Sequence, residues 1–193
     1  MGLDMYLKRG KKIPKISWEE YKEIRNKVIN DDEEALENYK DYVVNCGEYY
    51  IWNDLVKEVG YWRKANQVHK WMVDNVQNGV DNCDLYEVKK EDLKKLLWIC
   101  ESIVQNCKLT DGKVVNGYTF EDGMKVPIIE DGKVMTNIDV AKNMLPTCSG
   151  FFFGGTDYDE YYMGDIANTI EIINRVLKET NFDEEYIAYE SSW

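Results

Sequence analysis

The chain has 193 residues, 44% hydrophobic and 31% charged, with 24 basic against 36 acidic side chains and a net charge of −12. That length suits one folded domain, residues 1–193, with a core that needs no disulfide or metal, and that charge excludes a general nucleic-acid backbone binder, which needs a basic face. No apolar run approaches the roughly 20 residues of a membrane span, and Met1-Gly2-Leu3-Asp4 lacks the basic-then-apolar order of a secretion signal, so the expectation is a cytoplasmic protein with reduced thiols and no cofactor.

Leu3-Asp4-Met5-Tyr6-Leu7 alternates and predicts a strand. Lys8, Arg9, Lys11, Lys12 and Lys15 follow closely and read either as a solvated loop or as a small anion-binding rim. Ser17-Trp18-Glu19-Glu20 is a capping box, opening a helix to about Asn30 with Trp18, Tyr21, Ile24 and Val28 on its apolar stripe. Residues 31–37 are acidic surface. The β-favouring runs Tyr42-Val43-Val44 and Tyr49-Tyr50-Ile51-Trp52 bracket a turn at 45–47. Over residues 61–78, Trp62, Ala65, His69, Met72, Val73 and Val76 recur at three and four, predicting a helix capped by Gly79. A second helix spans about 91–107, with Leu93, Leu96, Leu97, Cys100, Ile103, Val104 and Cys107 on its apolar face.

Asp111-Gly112, Asp122-Gly123 and Asp131-Gly132 punctuate β-rich runs and predict a small meander over 111–136. A short helix over 139–144 stops before Pro146. Phe151-Phe152-Phe153, flanked by glycines, predicts a short buried strand. Thr156 or Asp157 caps a last helix to about Glu179, and Tyr186-Ile187-Ala188-Tyr189 is a closing strand. The order is α+β: a small antiparallel or mixed sheet with a β-meander, packed by three to four helices.

Most familiar chemistry is missing from this inventory. Five cysteines without a CxxC pair write neither a zinc ribbon nor a thioredoxin motif. His69 is the one histidine, there is no GxSxG elbow and no GxxxxGK[ST] loop. His69 itself reads more readily as a hydrogen-bonded structural residue than as a base. Asp157, Asp159, Glu160 and Asp165 fit helix capping and dipole better than a divalent metal or a ribose hydroxyl. No residue is assigned a catalytic role and none a metal.

The densest functional-looking stretch is residues 61–71, where Trp62, Arg63, Lys64, Asn66, Gln67, His69, Lys70 and Trp71 mix rings, cations and amides in an otherwise acidic chain. A core helix with a basic solvated edge explains it equally well. Met1-Gly2-Leu3-Asp4-Met5-Tyr6-Leu7, Tyr61-Trp62-Arg63-Lys64-Ala65-Asn66 with His69 and Trp71, Leu145-Pro146-Thr147, Ser149-Gly150-Phe151-Phe152-Phe153-Gly154, Tyr158-Asp159-Glu160 and Ser191-Ser192-Trp193 together resemble a family of small uncharacterised proteins of bacteriophages and their hosts. The resemblance implies a phage-type accessory protein in the host cytoplasm, and no catalytic residues.

From these residues the expected function is non-catalytic sequestration of a small nucleotide-like anion, as a host counter-defence. Trp62 and Tyr158 would stack, Arg63 and Lys64 would meet phosphates, and Asn66, His69, Ser149 and Asp159 would give polar contacts, with Gly150 and Thr156 at the glycine turn. The alternative is an acidic inhibitor of a host protein, working through residues 31–61 and 157–193, net −7 and −8. Third is an enzyme on a nucleotide or sugar phosphate, using His69 or the carboxylates of 157–165. Direct DNA binding and membrane insertion are not expected, and a homo-oligomer stays open.

Overall fold

Alternation decides the first strand. Leu3, Met5 and Leu7 turn into the core while Asp4, Tyr6 and Lys8 turn outward, which makes β1 (Asp4–Lys11) a strand with one apolar face. The computed structural model describes residues 2–45, 50–52, 57–150 and 153–193. Strand β1 pairs antiparallel with β4 (Lys57–Arg63) on one side and with β8 (Glu185–Ser192) on the other, and β8 carries the short β5 (Tyr86–Glu87), giving the order β4-β1-β8-β5. The closing strand therefore lies inside the sheet, and both of its faces are apolar. Ile187 and Tyr189 face the larger core, and Tyr186 and Ala188 the smaller one.

The larger core takes α3 (Asn66–Asn75), α4 (Lys90–Asn106), α5 (Ile138–Met144) and α6 (Glu160–Glu179) against the Leu3, Met5 and Leu7 face. On the opposite face, α1 (Trp18–Ile29) and α2 (Glu33–Asn38) place Tyr21, Val28 and Ala35 over Tyr186 and Ala188. The capping box forms as read: Glu20 N donates to Ser17 Oγ at 3.3 Å and Ser17 N donates to Glu20 Oε2 at 2.9 Å, and the bonds to that carboxyl from Ser17 N and Oγ hold it below its usual pKa. A one-turn 3-10 helix (Lys40–Tyr42) leads into the small pair β2 (Val43–Asn45) and β3 (Tyr50–Trp52). The α+β reading holds.

Two elements differ from the sequence reading. Residues 61–63 are not helical. They end β4, where Val59 and Trp62 are buried and Tyr61 and Arg63 exposed; Trp62 is interior as a strand residue and also stands three positions before Ala65 of the run that leads into α3, so the spacing alone does not separate the two. Gly60 lets α6 ride directly on this strand, since a Cβ there would collide with the Ile172 side chain. The meander is instead one long ribbon of β6 (Lys108–Glu121) and β7 (Met124–Thr136). Only Asp122-Gly123 makes a turn, with φ of +50° and +79° as a type I′ hairpin requires. Gly112 and Gly132 face each other across the strands, because Val134 and Val114 pack over the space their side chains would fill.

The turn at 45–47 and the phenylalanine strand at 151–153 fall largely outside the described residues; Phe153 is buried without being in a strand. The last helix starts at Glu160 with Asp159 as its cap, three residues later than Thr156.

Candidate functional site

The two segments that carry the expected site do meet, and Asn66 joins them. After β4 the chain turns at Lys64, whose φ is +62° and whose N–H donates to the Leu3 carbonyl at 2.7 Å. This turn puts Asn66 at the start of α3 with its side chain buried. Its Nδ2 donates to the carbonyls of Phe153 at 3.2 Å and Gly155 at 2.7 Å, and its Oδ1 accepts from Cys148 N at 2.8 Å. One side chain thus satisfies three backbone groups of a loop more than 80 positions away. Gly154, at φ +95°, passes against Lys64, and a Cβ there would lie 3.0 Å from the Lys64 Cβ.

Most of the expected ligand residues serve this joint. Trp62 is 1% exposed and its Nε1 donates to Thr169 Oγ1 at 2.9 Å, so its ring faces the core and presents nothing for stacking. Buried His69 sits between Tyr189 and Asp81, with Nδ1 2.8 Å from the Tyr189 hydroxyl and Nε2 3.1 Å from Asp81 Oδ1. Because a carboxylate only accepts, Nε2–H donates to Asp81 and Nδ1 accepts from the tyrosine. Burial lowers the imidazole pKa, and Asp81 opposes that shift. Asp159 caps α6 by accepting from Tyr161 N at 2.9 Å and Tyr162 N at 3.1 Å. Tyr158 accepts from Thr147 N at 3.3 Å, and its ring lies 5.0 Å from that of Tyr162. Gly150 makes room for the Phe153 ring, which a Cβ would strike.

Arg63, Lys64, Ser149, Gly150 and Thr156 remain exposed. Arg63 reaches Asp4 at 3.4 Å beside the Tyr61 hydroxyl, which also donates to Asp4. The sequence reading gave no role to Gln67 in the joint, yet its Nε2 donates to Asp165 Oδ2 at 2.9 Å. Burial pushes the Asp165 carboxyl up to about 6.

A concavity of ligand size lies elsewhere. A cleft of about 430 Å³ opens between the end of β1 (Arg9, Gly10, Lys11), the start of β4 (Lys57), the 3-10 turn (Asp41, Tyr42) and Glu185 of β8. Arg9 is fixed in it, with Nη1 donating to the Glu179 carbonyl at 3.1 Å and Nε 3.6 Å from Glu185 Oε1. Lys11 and Lys57 are exposed at its edge. Three cations face two carboxylates, a local excess of positive charge in a chain of net −12. The basic cluster in the sequence supplied Arg9 and Lys11. Lys8 pairs with Glu190, and Lys12 donates to the Phe182 carbonyl at 2.6 Å. A second hollow of about 210 Å³ beside Gln67, Trp71 and Lys95 is smaller than the roughly 300 Å³ at which small-molecule sites begin.

Among the described residues no group of three His, Cys, Asp or Glu side chains is arranged to hold a metal, and no helix is long and apolar enough to cross a membrane. Comparison of the chain with protein-family models, with curated proteins and with solved structures finds no match in any of the three.

Proposed function

We propose that this chain is a non-catalytic binding protein for a small, phosphate-bearing, nucleotide-like ligand. The observation that carries the reading is the cleft of about 430 Å³ lined by Arg9, Lys11, Lys57 and Tyr42, within the size range of small-molecule sites. Arg9 is already held by Glu185 and a helix-terminal carbonyl, so little side-chain freedom is lost when it meets an anion. Lys11 and Lys57 supply the remaining positive charge. Among the described residues that line the cleft there is no serine, threonine or cysteine with a base beside it, which favours binding over turnover. The resemblance to phage accessory proteins sets the context: removal of a nucleotide-like defence signal in the host cytoplasm.

Calorimetry against nucleoside mono- and diphosphates, cyclic dinucleotides and ADP-ribose derivatives tests this. The expected result is a micromolar binder that is recovered chemically intact. A panel with no member tighter than about 100 μM, roughly −5.5 kcal/mol, removes the reading, and recovery of a converted ligand replaces it with an enzyme.

The acidic-inhibitor reading has its own observation. Asp31, Asp32, Glu33, Glu34 and Glu37 all stand exposed at and around α2. A stoichiometric basic partner captured from host lysate and released by salt would favour it.

A further inference from the structure

The chain holds two Asn-Gly pairs, Asn78-Gly79 and Asn116-Gly117, and the fold puts them in opposite settings. In this dipeptide the glycine nitrogen lies within reach of the asparagine carboxamide, and a glycine has no Cβ to crowd the approach. All four residues are exposed. Asn78 and Gly79 close the turn after α3. There Gly79 N donates to the Val73 carbonyl at 2.9 Å, Val80 N to the Gln77 carbonyl at 3.1 Å, and the buried Gln77 side chain to the Val80 carbonyl at 3.0 Å. The nitrogen that would attack is occupied, and the backbone on both sides of it is fixed.

Asn116 and Gly117 sit on the ribbon of β6 and β7, where its pairing slips. Val115 faces Ile129 and Tyr118 faces Pro127, so two residues of β6 stand opposite Ile128 alone. Gly117 has φ +102°, and nothing lies within 4 Å of where its Cβ would stand. That backbone angle selects glycine, and the same choice leaves Asn116 beside the least hindered nitrogen a chain can offer. The base of the ribbon is held, because Val134 bridges to Asp159 and Lys133 N donates to Glu160 Oε1 at 3.0 Å. From the bulge to the turn at Asp122-Gly123 every residue is exposed or half-exposed. A two-stranded ribbon is marginal on its own in water, so this part opens locally more often than the turn at Gly79.

We propose that Asn116 is a site of spontaneous deamidation and that Asn78 is protected from it by its turn. Gly117 N bonds to the Asn116 Cγ, the Cγ–Nδ2 bond breaks, and ammonia leaves with the proton from the backbone nitrogen. Water then opens the cyclic imide. Cleavage at Cγ leaves aspartate, and cleavage at the main-chain carbonyl leaves isoaspartate, whose backbone runs through Cβ and Cγ. Either product adds a negative charge to a chain of net −12. Isoaspartate also lengthens β6 by a methylene carbon. The pairs from Tyr118–Pro127 to Glu121–Met124 then lose step with the base, while those from Lys108–Thr136 to Val115–Ile129 keep theirs.

Peptide mapping by mass spectrometry tests this on the full chain, incubated at mildly alkaline pH both folded and in urea. In the folded protein the product at Asn116 is expected to form about tenfold faster than at Asn78, the difference in local opening setting the ratio. Isoaspartyl-specific methylation should label the same peptide. In urea the two pairs are expected to react at similar rates, since neither then has a turn or a bulge around it. Asn116→Gln, whose longer side chain closes the ring far more slowly, should lose the label with an unchanged far-ultraviolet dichroism spectrum. A folded protein in which Asn78 converts as fast as Asn116, or in which neither converts, overturns the proposal. So does a ratio in urea as large as in the folded state, or a label that persists in Asn116→Gln.

Discussion

The joint around Asn66 and the cleft around Arg9 hold similar side-chain types and use them in opposite ways. At the joint, rings, amides and a histidine answer one another. Trp62 is bonded to Thr169, Gln67 to Asp165, His69 to Tyr189 and Asp81, and Asn66 to a loop far along the chain. At the cleft, fewer groups converge on open space, and two of the cations stand at its edge. A dense inventory of binding chemistry is evidence of a site only when the groups are not each other's partners.

If the joint is structural, breaking it lowers stability and leaves ligand binding alone. Trp62→Ala has the largest expected effect. It removes a fully buried indole and the donor to the Thr169 hydroxyl, which keeps its own bond to the Asp165 carbonyl, and costs about 3–5 kcal/mol. Urea unfolding measures this; a loss under about 1 kcal/mol would mean the ring is not in the core. Asn66→Ala comes next at about 2–3 kcal/mol, because the Phe153 and Gly155 carbonyls and the Cys148 N–H lose their partner together. Proteolysis of residues 148–155 should speed up in this variant, and an unchanged cleavage rate would contradict the staple.

Local patterns were legible in the sequence and long-range pairings were not. The capping box at Ser17, the apolar face of α4 and the closing strand β8 each follow from neighbours a few residues apart. The end of β4 differs from the sequence reading because buried Trp62 of the strand stands at helical spacing from buried Ala65 and His69 at the start of the helix that follows. At Gly112 and Gly132 the Asp-Gly signal was real chemistry in the wrong place: the glycines admit Val134 and Val114 across the ribbon instead of turning the chain. The site suffered most. The composition of residues 61–71 announces ligand chemistry, but the hydroxyl that engages His69 lies 120 positions away in Tyr189. The basic cluster at Lys8–Lys15 did point toward the cleft, yet only the pairing of Arg9 with Lys57 in the sheet shows where the third cation enters.

Asp165 sharpens the contrast with a change of sign. Its folded pKa, about 6, stands above the ordinary carboxylate value of 3.8, so the folded state binds the extra proton between those values. The ionised carboxylate therefore lowers stability above about pH 6, and that cost disappears as the pH falls toward 3.8. Asp165→Asn keeps an acceptor for Gln67 and carries no charge. It should stabilise the protein by about 1–2 kcal/mol at neutral pH, after allowing for partial exposure, and by nothing near pH 3.5. Thermal melts at the two pH values separate the cases; a variant less stable than wild type at pH 7 would show that the carboxylate is needed there in its charged form.

The smallest effect on stability is expected at the cleft, and there it tells most. Lys11→Ser and Lys57→Ser alter exposed side chains, so each should shift unfolding by no more than about 0.5 kcal/mol. Each also removes one of three positive charges from a region that faces Asp41 and Glu185. With both gone, Arg9 alone opposes two carboxylates, the local charge turns negative, and a phosphate is repelled where it was attracted. The affinity of whichever anion the panel identifies should fall about tenfold for each single substitution, roughly 1.4 kcal/mol, and raised salt should narrow the gap between variant and wild type. Arg63→Ser and Lys64→Ser provide the matched comparison, since they remove cations of the same exposure from the joint. Loss of binding in that pair with none in the first would return the site to residues 61–71 and leave the cleft as a hollow between strands.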